Sequence, residues 1–273
     1  MLVYFAFGAV VFLLFFTQSI FSAEKVYEEA LKSILERIDN PNIDVNMKDK
    51  HGKTALMIAV KYDHTKVVKK LLEREDIGVN IKDEDGDTAL MLAAKYGSIG
   101  AVRVLLKDAR TQAQAKNKNN WTAFMVAAGN GNTVVLKEIL NDKTTDVNTQ
   151  DTEGKTALII AAEAANTEVV KTLIWDPRTN YNIKDMNGRT ALMYTAKNGA
   201  IEAARALLFY CYYGHADYWV KDNTGKSART IAIENKYRAI TDLINERIHW
   251  DEPMDYDDFE HMGNPDAGIP CDY

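Results

Sequence analysis

A six-residue stretch recurs along this 273-residue chain at a fixed interval of 34 residues. It begins at Thr54 as Thr-Ala-Leu-Met-Ile-Ala and returns in closely similar form at Thr88, Thr122, Thr156 and Thr190. A fixed period of this size is typical of a chain built from stacked copies of one supersecondary unit. Each unit is too small to bury its own apolar face, so neighbouring units must share one elongated core. The repeat therefore predicts a solenoid and favours binding over catalysis.

The turn that opens each copy contains a residue suited to a positive φ angle. Glycine fills this place in every copy except the third, where Asn120 takes it. Glycine adopts positive φ at no steric cost, and asparagine tolerates it better than most other residues. The sequence therefore predicts a tight turn at the same place in every unit. The turn residues are Gly52, Gly86, Asn120, Gly154, Gly188 and, more distantly, Gly225.

Two helices are predicted to follow each turn. The threonine of the recurring motif stands where a helix N-cap belongs, and the small apolar run after it, residues 55–59 in the first copy, fits a short buried helix. About a dozen residues further on, Val67, Val68, Leu71 and Leu72 follow the spacing of an amphipathic helix. The predicted fold class is therefore all-α.

The residues that recur in each unit form a specific pattern. In the second copy they are Gly86, Thr88, Leu90, Ala93, Ala94, Gly97, Leu105 and Leu106, and Val-Asn pairs at 79–80 and 147–148 close other copies. This pattern resembles the ankyrin repeat family, although Pro-Leu-His of the family becomes Ala-Leu-Met, Ala-Phe-Met or Ala-Leu-Ile and each closing loop has one extra residue. The resemblance implies an ankyrin-repeat solenoid of stacked helix-turn-helix units with β-hairpin or loop connections, and a non-catalytic protein-binding role.

The resemblance divides the chain into five full units and their flanking segments. The half-units on either side are interpreted as caps, because the terminal units of a solenoid need a polar outer face. The predicted segments are 1–22 (signal peptide or N-terminal anchor), 23–48 (N-terminal capping helix region), 49–82, 83–116, 117–150, 151–184 and 185–221 (the five repeats, together 49–221), 222–248 (C-terminal capping repeat) and 249–273 (acidic tail).

The first 22 residues predict export from the cytosol. They contain no charged side chain, and the apolar run at 2–16 has the length of a signal-peptide core rather than of a membrane span. A small residue allows cleavage after Ser22, but no Lys or Arg precedes the apolar run, so a retained anchor and a buried structural helix stay open as alternatives. We expect a periplasmic or secreted protein that meets a membrane only through this segment, if it is uncleaved. The Thr-Ala-Leu-Met form with its longer loop resembles bacterial arrays.

The acidity of the chain belongs to its C-terminal tail. The whole chain has a net charge of −6, whereas residues 251–273 carry eight carboxylates and no Lys or Arg, which leaves +2 on the rest. Such a composition is typical of a solvated segment, although Trp250, Met254, Tyr256 and Phe259 also allow it to fold back on the stack. A nearly neutral solenoid argues against nucleic acid, which favours a basic stripe.

The motifs that resemble catalytic or metal sites are explained by the repeat. Three Gly-Lys-Thr or Gly-Lys-Ser sequences lack the upstream glycine of a phosphate-binding loop. An EF-hand register for Asp83, Asp85 and Asp87 puts apolar residues at the first and last ligand positions. The two cysteines, Cys211 and Cys271, allow one bridge or two unpaired thiols. We therefore predict no enzymatic activity, no cofactor and no metal.

Partner recognition is expected at positions that the fold leaves free, on the hairpin tips and the first helices, which face the concave surface. Tyr62, Tyr96 and Trp121 fall there in three successive units, and tyrosine and tryptophan dominate interface hot spots. The alternative is that the tyrosines cover helix edges and the tryptophan packs against a neighbouring tip. The predicted partner-binding residues are Tyr62, Tyr96, Trp121, Lys61, Lys95, Lys53, Asp87 and Arg189.

These residues predict a monomer that binds a protein of unknown identity. The alternative function is an anchored or exported accessory subunit that regulates or inhibits an enzyme. A second aromatic cluster, residues 209–213 with His215, Tyr218 and Trp219, accompanies a stretch of the period from 34 to 37 residues. Insertions in repeat proteins often lie on binding faces, but solenoid ends also need covering. We favour the interpretation that these aromatics seal the last repeat.

Overall fold

The computed structural model of the chain describes residues 38–40, 42–211 and 214–251. The predicted signal or anchor segment, most of the N-terminal cap, Tyr212, Tyr213 and the tail beyond Asp251 with Cys271 lie outside these residues. Among the residues described there are twelve helices and one isolated bridge, between Lys221 and Ser227. Within the same ranges, every helix is too short or too polar to cross a membrane.

The helices come in pairs, one pair for each predicted repeat and one for the C-terminal cap. The first helix of each pair packs on the first helices of the neighbouring pairs, and the second helices form a parallel outer row. This arrangement confirms the predicted all-α solenoid. The helices are α1 Ala55–Lys61, α2 Thr65–Leu72, α3 Ala89–Tyr96, α4 Ile99–Lys107, α5 Ala123–Gly129, α6 Thr133–Leu140, α7 Ala157–Glu163, α8 Thr167–Ile174, α9 Ala191–Asn198, α10 Ile201–Phe209, α11 Ala228–Glu234 and α12 Arg238–Asp251.

The recurring threonine caps the first helix of each repeat, as the sequence predicts. In the first four repeats its hydroxyl accepts a hydrogen bond from the backbone N–H three residues on, for example from Met57 to Thr54 at 3.4 Å. Such a cap contributes about 1 kcal/mol. Thr190 is the exception, because its buried hydroxyl has no partner among the residues described.

The hairpin tips are built around the side-chain carboxylate or amide of the first turn residue. Asp83 Oδ1 accepts hydrogen bonds from the backbone N–H groups of Asp85 and Asp87 at 3.0 and 2.9 Å. The turn residues have positive φ, 82° at Gly86 and 64° at Asn120, as predicted. The equivalent side chains in the other units are Asp49, Asn117, Asp151, Asp185 and Asp222.

Neighbouring tips are joined by single backbone hydrogen bonds rather than by a continuous sheet. Lys118 N–H donates to Asp85 O at 3.2 Å, and each of the other junctions described repeats this bond. The predicted hairpin connections therefore take the loop form. One bond at each junction fixes the spacing of the tips, so that their side chains line one continuous surface.

The closing loops are tied from one unit to the next by the predicted Val-Asn pair. Asn80 donates through Nδ2 to Arg110 O at 2.7 Å and accepts through Oδ1 from Gln112 N–H at 2.8 Å. Arg110 reaches back to the carbonyl groups of Leu72 and Arg74 at the end of α2. These bonds satisfy backbone groups that a helix end leaves without partners, and they couple each unit to its neighbour.

Candidate protein-binding surface

Trp121 lies on the hairpin tip of the third repeat, half-buried against the core. Its indole Nε1–H donates to Asp151 Oδ2 of the next tip at 2.9 Å. A Cβ atom at position 129 would lie 3.2 Å from the indole Cζ3 and 3.1 Å from Ile160 Cγ2, so Gly129 provides the space that the ring occupies. The indole is therefore held in one place while its exposed part faces the groove.

A cavity opens on each side of the Trp121 indole. The first, of about 360 Å³, lies between the second and third repeats and is lined by Lys95, Val126 and Asn130 among others. The second, of about 510 Å³, lies between the third and fourth repeats, with Gly129 and Ile160 in its wall. We call these two cavities and the ring between them the Trp121 groove.

An ion pair forms the far wall of the larger cavity. Lys155 Nζ lies 2.7 Å from Glu163 Oε2 and 2.8 Å from Glu153 Oε2, and its side chain is only 13 % exposed. Burial alone would lower the pKa of Lys155, but its hydrogen bonds with the two glutamates outweigh this effect and raise the pKa. Lys155 is therefore a fixed cation that closes the groove toward the fifth repeat.

Beyond this wall the groove is filled by Tyr194. This residue stands in α9 where Ile160 stands in α7, and its hydroxyl donates to the buried Asp185 Oδ2 at 2.6 Å. Lys155 Nζ and Lys197 Nζ lie 5.6 and 5.9 Å from the centre of its ring. Burial, followed by the hydrogen bond to Asp185, raises the pKa of Tyr194. The two cavities are thus lined by the second, third and fourth repeats.

Tyr62, Tyr96 and Lys61 come together on the N-terminal side of the groove. Lys61 Nζ lies 5.1 Å from the ring centre of Tyr62 and 5.5 Å from that of Tyr96, close enough for cation–π attraction to both. Tyr96 is 43 % exposed and Tyr62 is half-buried. Lys53 is also half-buried in the same repeat, on the turn that precedes α1.

Asp87 is buried, although a partner-binding residue is expected to be exposed. Only 6 % of the residue is exposed, and its Oδ1 accepts a hydrogen bond from Asn117 Nδ2 at 2.7 Å. Burial raises the pKa of its carboxyl group. Lys95 lies beside it in the same cavity and is exposed. Lys95 is therefore the part of this pair that a partner reaches first.

Arg189 lies away from the Trp121 groove, at the junction with the C-terminal cap. Its Nε is 3.4 Å from Oδ2 of the buried Asp222. Burial alone would raise the pKa of Asp222, but hydrogen bonds from Thr224, from Lys226 N–H and from Arg189 lower it to about 2. The structure thus places Arg189 in a contact that joins two units.

The carboxylates of Asp83, Asp85 and Asp87 approach within 4.8 Å of one another. Asp83 is committed to the turn through its bonds to backbone N–H groups, and Asp87 is bound to Asn117. These contacts belong to the repeat, so the hairpin tip accounts for the positions of Asp83 and Asp87.

Comparison with protein families now defines the class of this molecule. A family model described as ankyrin repeats, in three copies, matches residues 20–117, 109–185 and 166–252. The chain therefore belongs to the ankyrin repeat family, whose members are generally protein–protein interaction modules. Comparison with curated proteins gives no match.

Solved structures of ankyrin repeat proteins share this fold. One crystal structure of an ankyrin repeat protein matches with a TM-score of 0.65 and 26 % identity, over 75 % of this chain and 99 % of its own. An ankyrin repeat domain from Acinetobacter baumannii matches with a TM-score of 0.61 and 27 % identity, over 70 % of this chain and 96 % of its own. The ankyrin repeat domain of Bcl-3, described as a unique member of the IkappaB protein family, matches with a TM-score of 0.68 and 20 % identity, over 88 % of this chain and 97 % of its own. At this identity the match shows the fold alone.

Proposed function

We propose that this protein is a non-catalytic binding module and that a partner protein docks in the Trp121 groove. The observation that carries the proposal is an indole held by Asp151 and Gly129 with a cavity on both of its sides. A fixed aromatic ring loses little conformational freedom on binding, and tryptophan is enriched among residues that dominate interface energies.

The composition of the groove fits a protein rather than a small ligand. Its floor contains apolar positions such as Val126 and Ile160, whereas its rim carries Lys95, Lys155 and Glu163. An apolar centre within a polar, partly charged rim is the usual organisation of a protein interface. Tyr96 lies in the second repeat beside this surface and Tyr62 extends it by one repeat toward the N-terminus, so we propose that the partner spans the first four repeats.

The proposed setting is outside the cytosol, with the protein acting as a monomer. Support for this location comes from the uncharged, apolar segment at 1–22, and cleavage or retention of that segment separates a released module from an anchored one. Mass spectrometry of the N-terminus of the native protein distinguishes the two forms. The binding proposal holds for either form, because the groove lies in the repeats.

The sharpest test fills the groove without disturbing the indole. Ala164 is an exposed residue that lines the larger cavity, and Val134 is a 63 % exposed residue on the outer helix α6. Ala164→Tyr is expected to abolish capture of the partner from an extract of the native compartment, and Val134→Tyr is expected to leave capture unchanged. Both variants should melt close to the wild-type temperature. Equal capture by Ala164→Tyr and wild type would exclude this groove as the docking site.

A further inference from the structure

A strip of aromatic side chains lies at the C-terminal end of the solenoid, far from the Trp121 groove. Tyr210 is 49 % exposed, and Trp219 and Trp250 are each 64 % exposed. Phe209 and Tyr218 lie between them and are more buried. Two tryptophans this exposed at one end of a molecule are unusual, because indoles are highly buried on average. We call these five residues the C-terminal aromatic strip.

Four residues of the strip are connected by contacts between side chains. The rings of Phe209 and Trp250 pack edge to face with their centres 6.0 Å apart, and the ring centres of Tyr218 and Trp219 are 5.2 Å apart. Asp251 joins the two pairs, because its Oδ2 accepts a hydrogen bond from Tyr218 at 2.8 Å while it directly follows Trp250 in the chain. The last described residue of α12 therefore lies inside the strip.

Arg247 gives the strip a hydrogen-bond donor without a partner among the residues described. Its Nη2 donates to Asp251 Oδ1 at 2.8 Å, and its guanidinium carbon lies 5.9 Å from the centre of the Phe209 ring. Its Nε–H is buried and has no acceptor among the residues described. A buried donor without a partner costs about 1–3 kcal/mol. The site therefore favours an occupant that brings both a hydrogen-bond acceptor and apolar side chains.

The residues that follow Asp251 have this chemistry. Pro253 disfavours helical backbone at Glu252, so the chain is expected to leave the axis of α12 there. Met254 and Tyr256 alternate with acidic residues, which places both on one face of an extended segment. Phe259 adds a third large apolar side chain. The carboxylates between and after them are Asp255, Asp257, Asp258 and Glu260.

The reach of this segment matches the size of the strip. Met254 follows Asp251 by three residues and Tyr256 by five, so they extend at most about 10 and 17 Å from it at roughly 3.4 Å for each residue. Phe209 and Tyr218 both lie within contact of the α12 terminus. Met254 and Tyr256 cannot reach the Trp121 groove, three repeats away, since each repeat adds roughly 10 Å of stacking.

We propose that residues 254–260 bind back on the C-terminal aromatic strip and that a carboxylate among them pairs with Arg247. Met254 and Tyr256 contact the exposed faces of Trp219 and Trp250, where a thioether and a phenol both pack well against indole rings. The strip is then a self-occupied surface that closes the end of the stack. A partner protein meets only the Trp121 groove.

The test follows the four tryptophans individually in the full chain. Fluorotryptophan labelling gives one fluorine NMR signal for each of Trp121, Trp175, Trp219 and Trp250, assigned by single Trp→Phe variants. The test variant combines Met254→Ser, Tyr256→Ser and Phe259→Ser. The control combines Ile269→Ser and Tyr273→Ser, which remove apolar side chains from the same tail outside the proposed segment.

In the test variant the signals of Trp219 and Trp250 are expected to shift toward the position of solvent-exposed indole, while those of Trp121 and Trp175 stay in place. The control should leave all four signals unchanged, and Arg247→Gln should reproduce part of the shift. If the test variant leaves Trp219 and Trp250 unchanged, the proposal is wrong. In the wild-type protein, signals of Trp219 and Trp250 that move as the protein concentration is raised would instead show that a second copy of the chain covers the strip. This result would also overturn the proposal.

Discussion

The third and fourth repeats have the same backbone but present opposite chemistry on it. At the fifth position of the unit the third repeat carries Trp121 and the fourth carries Lys155, and at the thirteenth position they carry Gly129 and Glu163. In the third repeat an indole lies over a glycine. In the fourth, Lys155 Nζ and Glu163 Oε2 form an ion pair 2.7 Å apart. The difference shows that these two positions can change together without changing the fold.

The two pairs divide the surface of the hairpin tips and first helices into an open and a closed region. The glycine leaves room beside the indole, so cavities remain on both of its sides. The lysine and glutamate bind each other instead, and Tyr194 fills the space behind them. A partner therefore finds apolar surface in the third repeat and a neutralised charge pair in the fourth.

Exchanging the chemistry of the two repeats is expected to have the largest effect. The double variant Trp121→Lys, Gly129→Glu gives the third repeat the pair found in the fourth, so the solenoid should fold, with a loss of about 1 kcal/mol of stability from the missing Trp121–Asp151 hydrogen bond. Binding of the captured partner should weaken by about 2 kcal/mol or more, as for loss of a hot-spot residue. Titration calorimetry measures this change, and unaltered affinity would show that the indole is not an anchor.

The second prediction extends the comparison to two buried carboxylates with opposite shifts. The pKa of Asp222 is lowered to about 2, so its contribution of about 2 kcal/mol is present above the unfolded pKa near 3.8 and is lost as the pH falls toward 2. The pKa of Asp87 is raised by burial, so ionisation of Asp87 opposes folding above its folded pKa, and this penalty disappears on acidification.

Urea unfolding at pH 7 and at low pH separates these two cases. Asp222→Asn should destabilise the protein at pH 7 and have little effect near pH 2. Asp87→Asn should stabilise it at pH 7, since the amide oxygen can still accept the bond from Asn117, and this gain should disappear below pH 4. A stability loss in both variants at pH 7 would contradict the assigned environments.

The third prediction concerns the residue that closes the groove. Tyr194→Phe keeps the ring but removes the hydroxyl that donates to Asp185, which leaves a buried carboxylate oxygen without this bond. The free energy of unfolding should fall by about 1–2 kcal/mol. Partner affinity should stay unchanged, because Tyr194 lies beyond the Lys155 wall. Weaker binding with unchanged stability would instead extend the binding surface into the fifth repeat.

The smallest expected effect comes from the bond that holds the indole. Asp151→Asn keeps the Oδ1 acceptor of the turn but loses the anionic acceptor for Trp121 Nε1–H, and should cost about 1 kcal/mol of stability. Asp83→Asn makes the same change in the turn that follows Lys53 instead of a tryptophan, and should cost less. Chemical denaturation compares the two, and equal losses would mean that the indole bond adds nothing measurable.

Much of the fold can be predicted from the sequence because each unit repeats the same local requirements. The period places the helices, the threonines mark their first residues, and Asn120 shows that the turn needs positive φ rather than glycine itself. The turn aspartates were missed as structural residues, since a carboxylate at a hairpin tip is also typical of an exposed or metal-binding side chain. Their recurrence at the first position of nearly every unit was the available signal.

The details of the surface were harder to predict, because they depend on pairs of residues eight positions apart. Trp121 was predicted to lie on a hairpin tip, but the turn sequence does not indicate that Gly129, eight residues later, leaves room for its half-buried ring. Asp87 and Arg189 occupy the same position of the unit. Asp87 nevertheless accepts a hydrogen bond from Asn117, whereas Arg189 donates one to the carboxylate of Asp222. Those contacts cross from one unit to the next, so the sequence of one repeat does not contain them.

The partner-binding role of the predicted residues stays a prediction, and contact with the partner tests it most directly. A photo-crosslinking residue in place of Ala164 lies in the larger cavity beside Trp121, and the same residue in place of Val134 lies on the outer helices. Irradiation in the native compartment should give a covalent adduct with one partner protein from position 164 and none from position 134. Adducts from position 134 alone would contradict docking in the Trp121 groove.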